Sequence, residues 1–92
     1  MELEWLENSW AEYQKWLKND KKTALKIKRL IEDIMLNGAD KGMGKPEALK
    51  HEYSGYYSRR IDKKNRLIYL IYNDGKSDVL AIFSCTGHYS DK

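Results

Sequence analysis

Arg66-Leu67-Ile68-Tyr69-Leu70-Ile71-Tyr72, then Asn73-Asp74-Gly75-Lys76, then Val79-Leu80-Ala81-Ile82-Phe83-Ser84, is the stretch on which the fold turns. Two runs rich in β-branched and aromatic residues flank an Asp-Gly pair, the composition of a β-hairpin. Just upstream, Tyr57, Arg59 and Ile61 alternate with Ser58 and Arg60, and Asp62-Lys63-Lys64-Asn65 reads as the turn between that strand and Arg66. At the other end of the chain, Leu3 and Trp5 alternate with Glu2 and Glu4, predicting a short strand with one buried face. Trp10, Tyr13, Trp16 and Leu17 then recur at helical spacing over about residues 8–19, with Asn8 or Ser9 placed to cap the start. Their stripe is read as core. A second helix is expected from Asp20, as its cap, to Asn37-Gly38, with Ala24, Ile27, Leu30, Ile31 and Ile34 on its apolar face. Ala39 to Pro46 is a loop. The order strand, helix, helix, then three or four strands predicts an α+β domain, two N-terminal helices packed on a mostly antiparallel four- to five-stranded sheet.

The chain has 92 residues, enough for a single domain over 1–92 with one hydrophobic core. No apolar run approaches the ~20 residues of a membrane span. Met1-Glu2-Leu3-Glu4-Trp5 is acidic where a signal peptide would be basic, and Cys85, the one cysteine, has no internal partner. Both point to a cytoplasmic protein without a disulfide framework or an all-cysteine zinc site.

Net charge is +3, but residues 41–66 carry eight cations (Lys41, Lys45, Lys50, Arg59, Arg60, Lys63, Lys64, Arg66) against Glu47, Glu52 and Asp62. Tyr53, Tyr56, Tyr57 and Tyr69 lie among them. Cations with interleaved aromatic rings suit single-stranded nucleic acid, while charge alone favours a solvated sheet face, because surface lysine runs are common. There is no paired Cys/His spacing for a metal, no phosphate-binding glycine loop and no nucleophile elbow. Glu47, several arginines, His88 and Tyr89 remain. That set fits RNA cleavage by the strand's own 2′-hydroxyl, which needs a base, an acid and cations but no cofactor. Each residue also has a plain surface role open to it: Glu47 as a pair for Lys45 or Lys50, Arg66 as an edge-strand charge, His88 as an exposed histidine.

Gly44-Lys45-Pro46-Glu47-Ala48-Leu49-Lys50-His51, Ser54-Gly55-Tyr56-Tyr57-Ser58-Arg59-Arg60-Ile61 and Asn65-Arg66-Leu67-Ile68-Tyr69, with the closing Cys85-x-x-His88-Tyr89, closely resemble the YoeB/Txe toxins of the RelE-like superfamily. The resemblance spans residues 1–89. It implies a RelE-like (microbial ribonuclease-like) fold and a toxin of a type II toxin–antitoxin system that cuts mRNA in the ribosomal A site. It further implies Glu47 as general base, His88 as general acid and Arg66 as stabiliser of the transition state. Lys50, Arg60 and Tyr89 would contact mRNA, and Arg59 a phosphate or ribosomal RNA. The implied partners are a YefM-like antitoxin, the bacterial ribosome and a second toxin copy, with no cofactor and no metal. Ala48 stands where the family often has a second proline, and Ser90-Asp91-Lys92 extend beyond the tyrosine near which the family commonly ends. An alternative within the superfamily is inhibition by binding, as in the gyrase-directed ParE branch. A plain RNA-binding domain is the third reading.

Overall fold

The Asp-Gly hairpin is the centre of the molecule. In the computed structural model, which describes residues 1–88, Arg66–Asn73 (β4) pairs antiparallel with Asp78–Ser84 (β5). Tyr57–Arg60 (β3) joins the other side of β4, and Glu47–Ala48 (β2) adds a two-residue edge to β3, both antiparallel. Glu2–Trp5 (β1) lies parallel to β5 on the opposite edge, so the order is β1-β5-β4-β3-β2. Five strands form, three of the four pairings antiparallel. Ser9–Asn19 (α1) and Lys21–Asn37 (α2) form between β1 and the loop that precedes β2.

The 3.6-residue period of α2 puts Ala24, Ile27, Leu30, Ile31 and Ile34 on one buried face. That face meets Leu67, Tyr69, Leu80 and Ile82, the residues that strand alternation sends to the same side of β4 and β5. Each such fully buried aliphatic side chain contributes about 1.5–3 kcal/mol by leaving water. On the other sheet face Ile68 is buried too, and Tyr53, Tyr56 and Phe83 form an edge-to-face aromatic cluster there. Phe83 is the extra residue of a β-bulge: Ile68 opposes Ser84 and Tyr69 opposes Ile82. The bulge bends β5 as the chain leaves the sheet toward His88.

Asp20 caps α2 as expected, accepting from the Thr23 backbone N–H at 3.1 Å and the Thr23 hydroxyl at 2.8 Å. The start of α1 differs from expectation. Asn8 makes no side-chain cap, and the Ser9 hydroxyl donates instead to the Ile82 carbonyl at 2.8 Å, tying α1 to the sheet. The aromatic stripe is also only partly core. Tyr13 and Trp16 are half-buried, whereas Trp10 is 48% and Leu17 43% exposed. The reason is position: α1 packs against α2 and β5, with Trp5 of β1 against its rings, and its outward side chains are left exposed. Trp10 therefore packs edge-on to Trp5 at 5.2 Å, and Leu3, Trp5, Trp10, Tyr13, Ile31 and Met35 line an open apolar groove of about 370 Å³.

Among the described residues, no helix is long and apolar enough to cross a membrane. Four aspartates share one response to pH. Hydrogen bonds from Thr23 hold the Asp20 carboxyl below the usual range. The Met43 backbone N–H and the Arg59 side chain do the same at Asp33, and the Ser77 and Lys76 backbone N–H groups at Asp74. At Asp62 burial opposes ionisation, but bonds from Asn65 and Lys64 and the charge of Arg66 still pull it down. These contributions to stability are fully present above the unfolded carboxyl value of about 4 and vanish as pH falls through the lower folded values. Denaturant unfolding is expected to be flat from pH 7 to about pH 5 and to weaken below about pH 4. Asp33→Asn should shrink that acid-dependent loss; an unchanged acid limb in this variant would exclude Asp33 as a contributor.

Candidate active site

Strand register builds the site. Alternation along β3 sends Ser58 and Arg60 to the face away from the helices, and pairing sets Ser58 opposite Glu47 and Arg60 opposite Arg66. The backbone N–H of Arg66 donates to the Gly87 carbonyl at 2.9 Å, bringing the end of the chain alongside the start of β4. Lys45, Pro46, Glu47, Ser58, Arg60, Arg66 and His88 consequently line one cleft of about 270 Å³. Glu47, Arg66 and His88, from three separated segments, meet there, with Arg60 among them. Three permanent cations (Lys45, Arg60, Arg66) face one carboxylate, so the cleft favours an anion.

The segment leading to His88 is held from both sides. The Glu12 carboxylate on α1 accepts from the Cys85 backbone N–H at 2.7 Å and the Ser84 hydroxyl at 3.2 Å, and the Trp16 indole N–H donates to the Cys85 carbonyl at 2.9 Å. From the turn, Asn65 Oδ1 accepts from the Gly87 N–H at 2.8 Å. Asp62 orders that turn by accepting from the Lys64 and Asn65 backbone N–H groups at 2.8 and 2.7 Å, and from the Asn65 amide. Arg66 is steadied by the same turn, Nη1 donating to the Asp62 carbonyl at 2.7 Å and the Asn65 carbonyl at 3.1 Å. Lys45 holds a φ of 51° at the lip of the cleft, a left-handed conformation costing a non-glycine residue about 1 kcal/mol.

The remaining expected site residues fall elsewhere. Lys50 is exposed at the start of a single 3₁₀ turn, His51–Tyr53, and does not line the cleft. Tyr89 lies outside the described residues.

Arg59 is a correction. It is fully buried and cannot meet an RNA phosphate. Nε donates to the Tyr69 hydroxyl at 2.9 Å. Nη1 donates to Asp33 at 2.5 Å and the Met43 carbonyl at 2.9 Å, and Nη2 to the Gly38 and Lys41 carbonyls at 2.8 and 2.6 Å. All five guanidinium N–H donors are thereby used. The Tyr69 hydroxyl in turn donates to the Ala39 carbonyl at 2.6 Å. Arg59 thus fastens the 38–43 loop to the sheet, and Gly44, whose carbonyl accepts from the Arg60 N–H at 2.7 Å, continues it toward Glu47. A Cβ at Gly42 would overlap the Asp33 carboxylate, so the loop's close approach needs glycine there.

Ser58 and Lys45 are cleft residues that sequence reasoning did not assign. The period-two pattern was a sufficient signal for Ser58: it shares the Arg60 face, and the same pattern puts Arg59 on the helix side. Among the described residues, no three His, Cys, Asp or Glu side chains gather as a metal site.

The molecule is thus a short α+β chain with a cationic cleft at the sheet edge, lined by a glutamate, an arginine and a histidine among others, and its fold is shared by solved small toxins. Residues 5–89 match the YoeB-like toxin of bacterial type II toxin–antitoxin systems. Toxin YoeB of Escherichia coli K12 is 43% identical over 89 residues, which cover 97% of this chain and all of the relative. The solved YoeB/ParE toxin from Agrobacterium tumefaciens superposes with a TM-score of 0.90 at 36% identity, covering 97% of this chain and 100% of that one. The YoeB dimer from Staphylococcus aureus superposes with a TM-score of 0.85 at 39% identity, covering 97% and 98%. The YoeB–YefM complex from the same organism gives 0.86 at 38%, with the same coverage. The chain belongs to the YoeB-like toxin family.

Proposed function

We propose that this toxin cuts mRNA in the A site of the bacterial ribosome, using the RNA's 2′-hydroxyl as nucleophile. Glu47 takes the 2′-hydroxyl proton as oxygen attacks phosphorus. The P–O5′ bond breaks, and His88 gives a proton to the departing 5′-oxygen. Arg66, with Arg60 and Lys45, holds the charge that builds on the phosphoryl oxygens. The products are a 2′,3′-cyclic phosphate and a 5′-hydroxyl. The observation that carries this reading is that Glu47, Arg66 and His88 line one cationic cleft. Lys50 and Tyr89 are assigned to the mRNA as substrate contacts. A cytoplasmic site of action, a YefM-like antitoxin and a toxin homodimer complete the reading. The open groove around Trp5, Trp10 and Tyr13 is an apolar surface suited to such protein contacts.

The test is incubation of a defined mRNA with the purified protein, with and without programmed ribosomes, mapping the cut and its 3′ end. A cut in the A-site codon on ribosomes only, ending in a cyclic phosphate, is expected. Absence of cleavage under either condition, from folded protein free of antitoxin, would transfer the assignment to inhibition by binding, and a supercoiling assay with gyrase would follow.

Asn65 is a positioning residue in this scheme, acting on His88 through Gly87. Asn65→Ala is expected to lower the single-turnover cleavage rate about ten- to a hundredfold with little change in apparent affinity for the ribosome, since small misplacements of reacting groups have effects of this size. Asn65→Asp keeps the acceptor for Gly87 but replaces the amide that donates to Asp62 with a second carboxylate, so it should restore little of the rate. A loss confined to affinity would remove this role.

A further inference from the structure

The cleft shares Lys45, Arg60 and Arg66 with a second concavity of about 440 Å³, whose outer wall adds Lys26 from α2 and Lys63 from the turn. Five cations from separate segments thus surround one trough. Lys26 Nζ donates to the Ile61 carbonyl at 3.3 Å, which fixes its ammonium at the wall. None of the five forms an ion pair among the described residues, where Arg59–Asp33 is the one such pair. Among the described residues the only acid in the lining, Asp62, has both carboxylate oxygens engaged by hydrogen bonds from its own turn. Arg66 directs Nη1 at turn carbonyls, while its Nε and Nη2 have no hydrogen-bond partner among the described residues.

Unpaired like charges around a concavity focus a positive potential into it. Among the described residues no aromatic ring lines the trough, so none of them offers a stacking platform for a base. The chemistry that fits is a phosphodiester, recognised by charge alone. We propose that the trough is a second phosphate subsite, binding the phosphodiester adjacent to the attacked one on the same RNA strand, whatever the base. The inference rests on the reading of the cleft as an RNA site. An acidic peptide is the competing occupant. Continuity with the cleft favours RNA, because the three shared cations bridge neighbouring positions of one polyanionic strand.

The probes are 2′-O-methyl RNAs that cannot be cut: a dinucleotide with one phosphodiester, and trinucleotides extended on the 5′ or the 3′ side. Binding is followed by NMR titration across a range of KCl concentrations. For the unmodified toxin, one of the two trinucleotides should bind about tenfold tighter than the dinucleotide at low salt. Its log–log salt slope should be steeper by about 0.7, the increment for one further phosphate on a single strand. In Lys26→Gln/Lys63→Gln, which alters only the outer wall, the gain and the added slope should vanish while dinucleotide binding stays the same. Should the double variant not fold, Lys63→Gln alone, on an exposed turn, should remove part of the gain.

An equal gain in the variant, no gain in the unmodified toxin, or no measurable binding of any of these RNAs would overturn the proposal. Poly-glutamate that binds in a Lys26- and Lys63-dependent way, with no trinucleotide gain, would overturn it in favour of an acidic protein segment. Because these RNAs are not cut, the outcome is independent of the catalytic assignment. Lost cleavage with length-dependent binding intact would refute only the roles of Glu47 and His88. Cleavage with no length dependence would refute only the subsite.

Discussion

Glu47→Gln and His88→Gln are each expected to slow mRNA cleavage on programmed ribosomes by about 10²- to 10⁴-fold, the usual contribution of a positioned base or acid. Arg66→Ala should remove about 10²- to 10³-fold by withdrawing charge from the developing phosphorane oxygens. The rate to measure is that of a single turnover with toxin in excess, so that product release does not mask the chemical step. Neither Glu47 nor His88 belongs to the buried core, so thermal unfolding of these variants should stay close to that of the unmodified protein. Base and acid act on the same transition state. The double variant should therefore lose much less than the product of the single losses. Cleavage within tenfold of normal in all three single variants would sink the catalytic assignment. The same variants should also relieve growth arrest when the toxin is expressed without antitoxin.

The second large effect concerns stability. Arg59→Ala is expected to destabilise the fold by about 3 kcal/mol, because it empties a fully buried site and leaves several hydrogen-bond acceptors without their donor, each at about 1–3 kcal/mol where water cannot replace it. Four acceptors besides Asp33 lose their donor at the same time: the Tyr69 hydroxyl and the carbonyls of Gly38, Lys41 and Met43. At about 4–8 °C per kcal/mol for a domain of this size, the midpoint should fall by well over 10 °C. Arg59→Lys keeps the charge but not the planar five-donor fork, and should recover only part of the loss. Arg60→Ala is the control next door. Arg60 is exposed on the cleft face, so its loss should leave the midpoint nearly unchanged and weaken RNA binding instead. If the two alanine variants melted alike, the structural role of Arg59 would be wrong.

This pair of arginines shows what a sequence conveys and what it withholds. Both stand in one string, Ser58-Arg59-Arg60-Ile61, and both were expected at RNA from the family resemblance. Strand alternation separates them, one to each face of β3, and that much was legible. That the helix side would offer Arg59 an aspartate and three carbonyls was not, because those acceptors come from α2 and a glycine-rich loop over residues 38–43. Trp10 is a parallel case. Its helical spacing reads as core, but whether a helix face is covered depends on which other elements pack against it.

The local elements followed from the order of residues alone. Period two in 57–61, the β-prone composition of 66–72, the Asp-Gly turn, the Asp20 cap and the apolar face of α2 are short-range properties of backbone and side-chain geometry. The family strings around Glu47, Arg66 and His88 are likewise local and visible in the sequence. Tertiary structure decided the parallel pairing of β1 with β5, the bulge at Phe83, and the gathering of Glu47, Arg66 and His88, which lie 19 and 22 residues apart in sequence, around one cleft. It also placed Lys26 of α2 beside Lys63 in the trough. Pairing and convergence of this kind depend on which distant segments share a core, and no window of neighbouring residues carries that information.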